Sequence, residues 1–294
     1  MSRLKISAIS YLNTAPLLWD FEHGSAANDF EISYTIPSAC AEALRQGTAD
    51  IGIIPAAAYA TIPDLVIIPD VAIASRQAVR SILLVSKVPV EQIRTVALDT
   101  SSMTSVALAK ILFAKWLGGE RNYKPMAPDL DAMLGETTFG ETTLGDTELS
   151  HRMLGDRTPG ACDAAVLIGD PALQVDRARY VTLDLAEEWV ARTGKSFVFA
   201  FWAIRKQALE GRNGAAIAEA FRNSRDHGLS EKNLEAIVQE WSPRLGLTIE
   251  SVRTYLTDNI HYYLDPRCLE GLELYYRLAA EIGALPRAAE LRFV

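Results

Sequence analysis

Short runs of apolar residues, each bounded by polar or turn-forming positions, recur through the first two thirds of the chain. Runs of this length fit buried strands, and the pattern predicts strands over 4–9, 51–54, 65–68, 81–85, 95–98, 164–168 and 197–204. Between them the apolar spacing widens to a helical period, as in 38–46 and 106–117, so the alternation predicts parallel strands joined by helical crossovers. Ser38 is the expected N-cap of its helix and Gly47 its stop.

From Asn213 onward the pattern becomes amphipathic, with a cap ahead of each stretch: Asn213 before 214–225, Ser230 before 231–241 and Thr248 before 249–258. A final helix starts at Asp265-Pro266, carries Leu269, Leu272, Tyr276, Ala279 and Ile282 on one face, and stops at Gly283. The fold class is therefore α/β with a helical C-terminal third. Segments 80–87 and 197–205 flank a block with its own strand-helix-strand pattern, which predicts a second lobe inserted into the first. Lobe 1 is expected from 1–88 and 200–294 and lobe 2 from 89–199, with a ligand cleft between them. A Gly-acid-Thr unit repeated three times within 134–148 breaks the alternation and reads as a polar surface excursion.

Composition narrows the class of partner. The 294 residues are 49% hydrophobic and 22% charged, enough to bury a large core. A net charge of −8 and the lack of any basic run argue against nucleic acid and anionic membrane partners, which need a basic surface. No apolar stretch reaches the roughly 18 residues that span a bilayer. Met1-Ser2-Arg3-Leu4-Lys5 passes straight into a strand pattern without an export signal, so the chain as given reads as cytoplasmic. Cys40, Cys162 and Cys268 are widely spaced and outside any CxxC pattern, which favours buried, reduced thiols over a disulfide framework or a zinc site. Nothing in the pattern sets an oligomeric state.

Three strand ends carry candidate chemistry. Ser10-Tyr11-Leu12-Asn13-Thr14-Ala15-Pro16 follows the first strand and opens a helix, where free amides attract an anion; an ordinary capped helix start satisfies the same spacing. Asp99-Thr100-Ser101-Ser102-Met103-Thr104-Ser105 offers more hydroxyls than capping consumes, leaving some to hold carboxylate oxygens unless the segment is a solvated helix start. Ile168-Gly169-Asp170-Pro171 ends a buried strand, and Asp170 either serves a proton transfer or caps the helix that Pro171 begins. Phosphate loops, HExxH and GxSxG are absent, and His23, His151, His227 and His261 are scattered, so no metal site or hydrolase triad is expected. His261 reads as structural.

Taken in order, these three blocks, together with Glu188-Trp189 leading to Phe197-Val198-Phe199-Ala200-Phe201-Trp202, resemble the chorismate dehydratase family of the futalosine route to menaquinone. The resemblance covers nearly the whole chain, with an apparent insertion near 134–160. It implies a two-lobed periplasmic-binding-protein-like fold of type II and dehydration of chorismate to 3-(1-carboxyvinyloxy)benzoate without metal or organic cofactor. It also implies that Asn13 and Ser81 are polar active-site residues and that Ser101, Ser102, Thr104 and Ser105 form an anion-holding turn. Ser10, Thr14, Ser38, Arg80, Thr100 and Gly169 complete the expected substrate-binding set, and Asp170 joins Asn13 and Ser81 as a catalytic candidate. Because the protein is acidic and chorismate carries two carboxylates, recognition is expected from local donors rather than long-range attraction. The base is expected to be Asp170 or the substrate's own enolpyruvyl carboxylate. Rival readings are a solute-binding receptor, a dihydroxynaphthoate synthase of related fold and an effector-binding regulator module.

Overall fold

The computed structural model describes residues 3–135, 161–286 and 289–294. All seven apolar runs form strands: β1 (Leu4–Ile9), β3 (Ile51–Pro55), β4 (Leu65–Ser75), β5 (Ile82–Ser86), β6 (Thr95–Asp99), β8 (Ala164–Ile168) and β10 (Phe197–Arg205). Three more, β2 (Phe30–Thr35), β7 (Asn122–Met126) and β9 (Val181–Asp184), have no continuous apolar run. Each lies at the edge of a sheet, where one side and part of a face meet water, so burial does not demand an apolar sequence. β4 runs on past Pro69 and Asp70, which read as a turn, because it too is an edge strand and its pairing with β10 shifts register there.

The strands form two five-stranded sheets, ordered β2-β1-β3-β10-β4 and β7-β6-β8-β5-β9. Both are mixed, which corrects the expectation of parallel strands throughout. β1 runs parallel to β2 and β3, and β6 to β7 and β8, but β10 is antiparallel to β3 and β4, and β5 to β8 and β9. The reversed strands lie next to the passages between sheets, where the chain does not make the helical crossover that parallel neighbours require. β5 pairs within the second sheet, so the first passage falls between Ser75 and Ile82 rather than after residue 88, and the return is complete by Phe197 rather than 200.

The helices are α1 (Ala15–His23), α2 (Pro37–Gln46), α3 (Ala56–Tyr59), α4 (Thr104–Lys115), α5 (Leu130–Leu134), α6 (Gly169–Leu173), α7 (Leu185–Thr193), α8 (Gly214–Gly228), α9 (Glu231–Leu245), α10 (Ile249–Thr254) and α11 (Pro266–Glu281). The side chains of Asn213, Thr248 and Asp265 accept the amides of Ala216, Ser251 and Cys268, as N-caps do. Ser38 does not cap α2: Pro37, whose ring presets φ, takes the first helical position, so the cap falls on Ile36. The expected helix over 249–258 divides into α10 and a π-helical turn, Tyr255–Asn259. The repeated Gly-acid-Thr units and His151 lie outside the described residues, as does nearly all of the expected insertion. All three cysteines are buried and outside any disulfide. Among the described residues no helix is long and apolar enough to cross a membrane.

α8 fixes α1, and with it the segment that follows β1. The Ser224 hydroxyl donates to the Leu17 carbonyl (2.9 Å) and accepts the Asp20 amide (3.0 Å). Gly228 lies so close to α1 that a Cβ there would sit 2.0 Å from the Pro16 carbonyl oxygen. Gly228→Ala is therefore expected to lower stability by ~1–3 kcal/mol in urea unfolding, as overpacking does; an unchanged midpoint would refute this contact.

Candidate functional site

Three strand ends converge between the sheets. After β1, the Thr14 hydroxyl donates to the carbonyls of Ile9 and Tyr11 and accepts the Tyr11 amide, winding 12–14 into a 3₁₀ turn. Thr14 is thereby committed to the turn, and Asn13 lines the cavity beside it. After β6, Asp99 Oδ1 accepts both the amide (2.8 Å) and the hydroxyl (2.6 Å) of Ser101. Ser102 Oγ accepts the Ser105 amide (3.2 Å) in the turn that leads into α4. Thr104 Oγ1 accepts the Ala57 amide (3.1 Å) and donates to the Phe199 carbonyl (3.1 Å), tying α4 to α3 and β10. Thr104 is consequently a fastening between the sheets, while the Ser102 proton and the Ser105 hydroxyl face the cavity uncommitted.

After β8, Gly169 adopts φ +65° and donates its amide to the Ser81 carbonyl (2.8 Å). The Tyr11 ring lies over it, and a Cβ would meet that ring at 2.7 Å, so only glycine fits. Asp170 reaches the other way: its Oδ1 accepts the Leu12 amide (3.1 Å) across the cleft. Burial pushes its carboxyl up to about 6. Burial also raises Asp99, whose Oδ2 has no hydrogen-bond partner among the described residues, and Tyr11, whose hydroxyl lies by Asp99 and Ser101.

The cavity between these turns has a volume of about 60 Å³. Its apolar wall comes from Ile9, Pro37, Pro55, Ile73, Ile82, Ile168, Phe199 and Ala200. The fully buried Ser81, on the passage from β4 to β5, receives a hydrogen bond from the Tyr255 hydroxyl (2.8 Å), and the Asn13 side chain lies against the same hydroxyl.

Asn13, Thr14, Ser102, Thr104, Ser105 and Gly169 thus line one cavity, Ser81 stands next to Asn13 through Tyr255, and Ser101 stands by Tyr11. The other expected residues lie elsewhere. Ser10 and Thr100 are exposed, and Ser38 is absent from the wall to which its neighbour Pro37 contributes. Arg80 has φ +66°, gives its amide to Asp184 (2.6 Å) and turns its guanidinium to Ser251 (3.2 Å). Asp170 faces the 3₁₀ turn rather than the cavity. Tyr11, Asp99 and Tyr255 were not among the expected site residues; Tyr11 and Asp99 stood inside the quoted blocks, whereas Tyr255 carries no local signal. A possible metal-binding cluster, His261, Asp265 and Cys268, lies away from these turns with ligand atoms within 4.8 Å of one another. Arg76 already pairs with Asp265, and Asp265 Oδ1 caps α11, so this group is occupied structurally.

Residues 4–158 and 148–281 match the family model described as menaquinone biosynthesis. The chain belongs to that family. It is 29% identical over 283 residues to a chorismate dehydratase of Thermus thermophilus, covering 95% of this chain and 94% of that protein. Its fold is similar to that of protein AF1704 from Archaeoglobus fulgidus, with a TM-score of 0.71, 15% identity and coverage of 96% of this chain and 98% of that one. The periplasmic aliphatic sulphonate binding protein SsuA of Escherichia coli matches with a TM-score of 0.61 and 16% identity, over 98% of this chain and 90% of that one. The two-lobed periplasmic-binding-protein-like class expected from the sequence is thereby shown.

For this menaquinone-biosynthesis family member the raised Asp170 carboxyl has a measurable consequence. Its value of about 6 exceeds the unfolded value of about 3.9, so the folded state holds the proton more tightly. Its contribution to stability is then fully present below about pH 4 and is lost as pH rises through about 6. Asp170→Asn, whose amide oxygen still accepts the Leu12 N–H, is expected to exceed the parent in stability at pH 7 by ~1–2 kcal/mol after allowance for solvent at its partly exposed edge. Urea unfolding from pH 4.5 to 7 should show that gap narrowing toward acid, and a constant gap would refute the shift.

Proposed function

We propose that the protein is a chorismate dehydratase, a hydro-lyase that converts chorismate to 3-(1-carboxyvinyloxy)benzoate and water. The observation that carries this reading is the meeting of Asn13 with the hydroxyl-lined start of α4 around one small cavity, with Tyr255 joining Asn13 to the buried Ser81 behind it. The likeness to the Thermus chorismate dehydratase over nearly the whole chain supports it.

The chemistry asks for little beyond placed hydrogen bonds. Removing the C3 proton leaves a charge that spreads through the adjacent alkene into the ring carboxylate; hydroxide then leaves C4 and the ring becomes aromatic. The α4 amides with Ser102 and Ser105 suit a carboxylate, since donors at a helix start are aimed before the charge develops. Asn13 and Ser81 suit the reacting edge of the ring. An α/β cleft walled largely by apolar residues strengthens each of these bonds by excluding water.

Asp170 has a basicity suited to proton transfer near neutrality, but its bond to Leu12 turns it from the cavity. That placement favours the enolpyruvyl carboxylate of the substrate as the base, delivered intramolecularly. The reaction so written uses no metal or organic cofactor. Three buried cysteines outside any disulfide suit the reducing cytoplasm, where we place the protein.

Purified protein incubated with chorismate in chelating buffer is expected to yield an aromatic product lighter by one water, seen by mass spectrometry. Tight binding without conversion would overturn the reading in favour of a receptor. Asp170→Asn is expected to keep kcat within about threefold, and a loss of 100-fold or more, of the order that removing a general base causes, would return the base to Asp170.

A further inference from the structure

The segment 251–259 clamps the passage between the sheets with four hydrogen bonds. Arg80 donates to Ser251 Oγ (3.2 Å), Gln77 Nε2 to the Asp258 carbonyl (3.0 Å), Asn259 Nδ2 to the Ala78 carbonyl (3.0 Å) and the Tyr255 hydroxyl to Ser81 Oγ (2.8 Å). Tyr255 opens the π-helical turn, closed by the Ile260 amide on its carbonyl (3.1 Å). The wider turn interrupts the ordinary helical spacing at the residue that reaches Ser81.

The direction of each bond follows from what is left over. Asn13 Oδ1 is buried and without a partner among the described residues, so the side of Asn13 turned to the Tyr255 hydroxyl is its amide N–H. That hydroxyl donates to Ser81, and its oxygen is left facing the Asn13 amide. Asn13 is left presenting a bare carbonyl oxygen, and Ser81, its acceptor site taken, keeps its own proton to donate. Burial raises the Tyr255 phenol far beyond neutral pH, so it stays protonated and the order of bonds does not invert.

We propose that Tyr255 is the positioning residue of the dehydration, fixing Asn13 as acceptor of the substrate's C4 hydroxyl proton and Ser81 as donor to that hydroxyl's oxygen. This rests on the dehydratase reading. As the C4–O bond breaks, its electron pair moves onto the oxygen, where the Ser81 hydrogen bond meets the growing charge; the departing hydroxide combines with the proton taken from C3, and Ser81 and Tyr255 end neutral. The contribution belongs mainly to the transition state, because the charge on that oxygen is absent from bound chorismate.

Tyr255→Phe keeps the ring and removes only the hydroxyl. It is expected to lower kcat 10- to 100-fold, leave KM within about twofold and hold the thermal midpoint near that of the parent. Tyr255→Phe in a Ser81→Ala background is expected to cost less than it does in the parent, since the Ser81 share of the arrangement is already gone and only the Asn13 share remains to lose. A parent-like kcat in Tyr255→Phe, or losses that simply multiply in the double variant, would overturn the proposal. Should Tyr255→Phe fail to fold, Ser81→Ala alone decides: the same fall in kcat at unchanged KM supports the donor role, and an unchanged kcat overturns it. A parent enzyme that releases no product fails the dehydratase reading itself, whereas an active parent beside an equally active Tyr255→Phe fails only this proposal.

Discussion

The two passages of the chain between the sheets share one root. Ser75, the last residue of β4, pairs with Phe197, the first of β10, so the outgoing and returning strands lie antiparallel and side by side. The Ser75 hydroxyl closes the outgoing turn by donating to the Gln77 carbonyl (2.6 Å). β10 is buried along nearly its whole length, with Phe197, Phe199, Phe201 and Trp202 in the core, and its Phe199 carbonyl accepts the Thr104 hydroxyl (3.1 Å). A helix start of the second sheet is thus registered by a strand of the first. The Tyr275 hydroxyl of α11 reinforces it by donating to the Thr104 carbonyl (3.2 Å), so the C-terminal helices bear on the site from behind.

That rigidity supports polar groups the fold would otherwise not bury. Asn13 Oδ1 and Asp99 Oδ2 are buried without partners among the described residues, and each such group costs ~1–3 kcal/mol if nothing replaces its lost water. Burial raises Asp99, Asp170 and Tyr11 together, which is one effect seen at three groups: little water reaches the turns around the cavity. With a net charge of −8 the protein does not draw an anion from afar.

The interior of the fold was legible in the sequence because burial imposes it. β1, β3, β5, β6, β8 and β10 are flanked on both sides, and their apolar runs announced them; β2, β7 and β9, at sheet edges, answer to no such demand, and of β4, also at an edge, only 65–68 carried such a run. The three strand-end turns were legible for the same reason, since strands that stop together leave their following residues together. Which side chain does what was not. Thr104 and Asp170 have partners from distant parts of the chain, Thr14 is spent within its own turn, and no sequence pattern shows that a hydroxyl is already spent. Tyr255 is 174 positions from Ser81 and sits in what reads as an ordinary amphipathic helix. Its role depends on a single π turn, and the residues that make that turn differ in no visible way from those that would continue α10.

The segment after β1 joins closure to chemistry. Tyr11 covers Gly169, the Leu12 amide is held by Asp170, and Asn13 enters the cavity, so three consecutive residues contact the second sheet or face the reacting space. The sheets cannot separate without breaking the Leu12–Asp170 bond and lifting Tyr11 from Gly169, and the same movement carries Asn13 off. A carboxylate accepting an amide makes a strong bond, but bringing that carboxylate out of water offsets much of the gain, as its rise to about 6 records. The fastening across the cleft is therefore weaker than its geometry suggests. A site that must admit a ligand, exclude water and release a product is served by a latch whose opposing terms nearly cancel, because the ligand's own contacts can then decide whether the cleft stays shut.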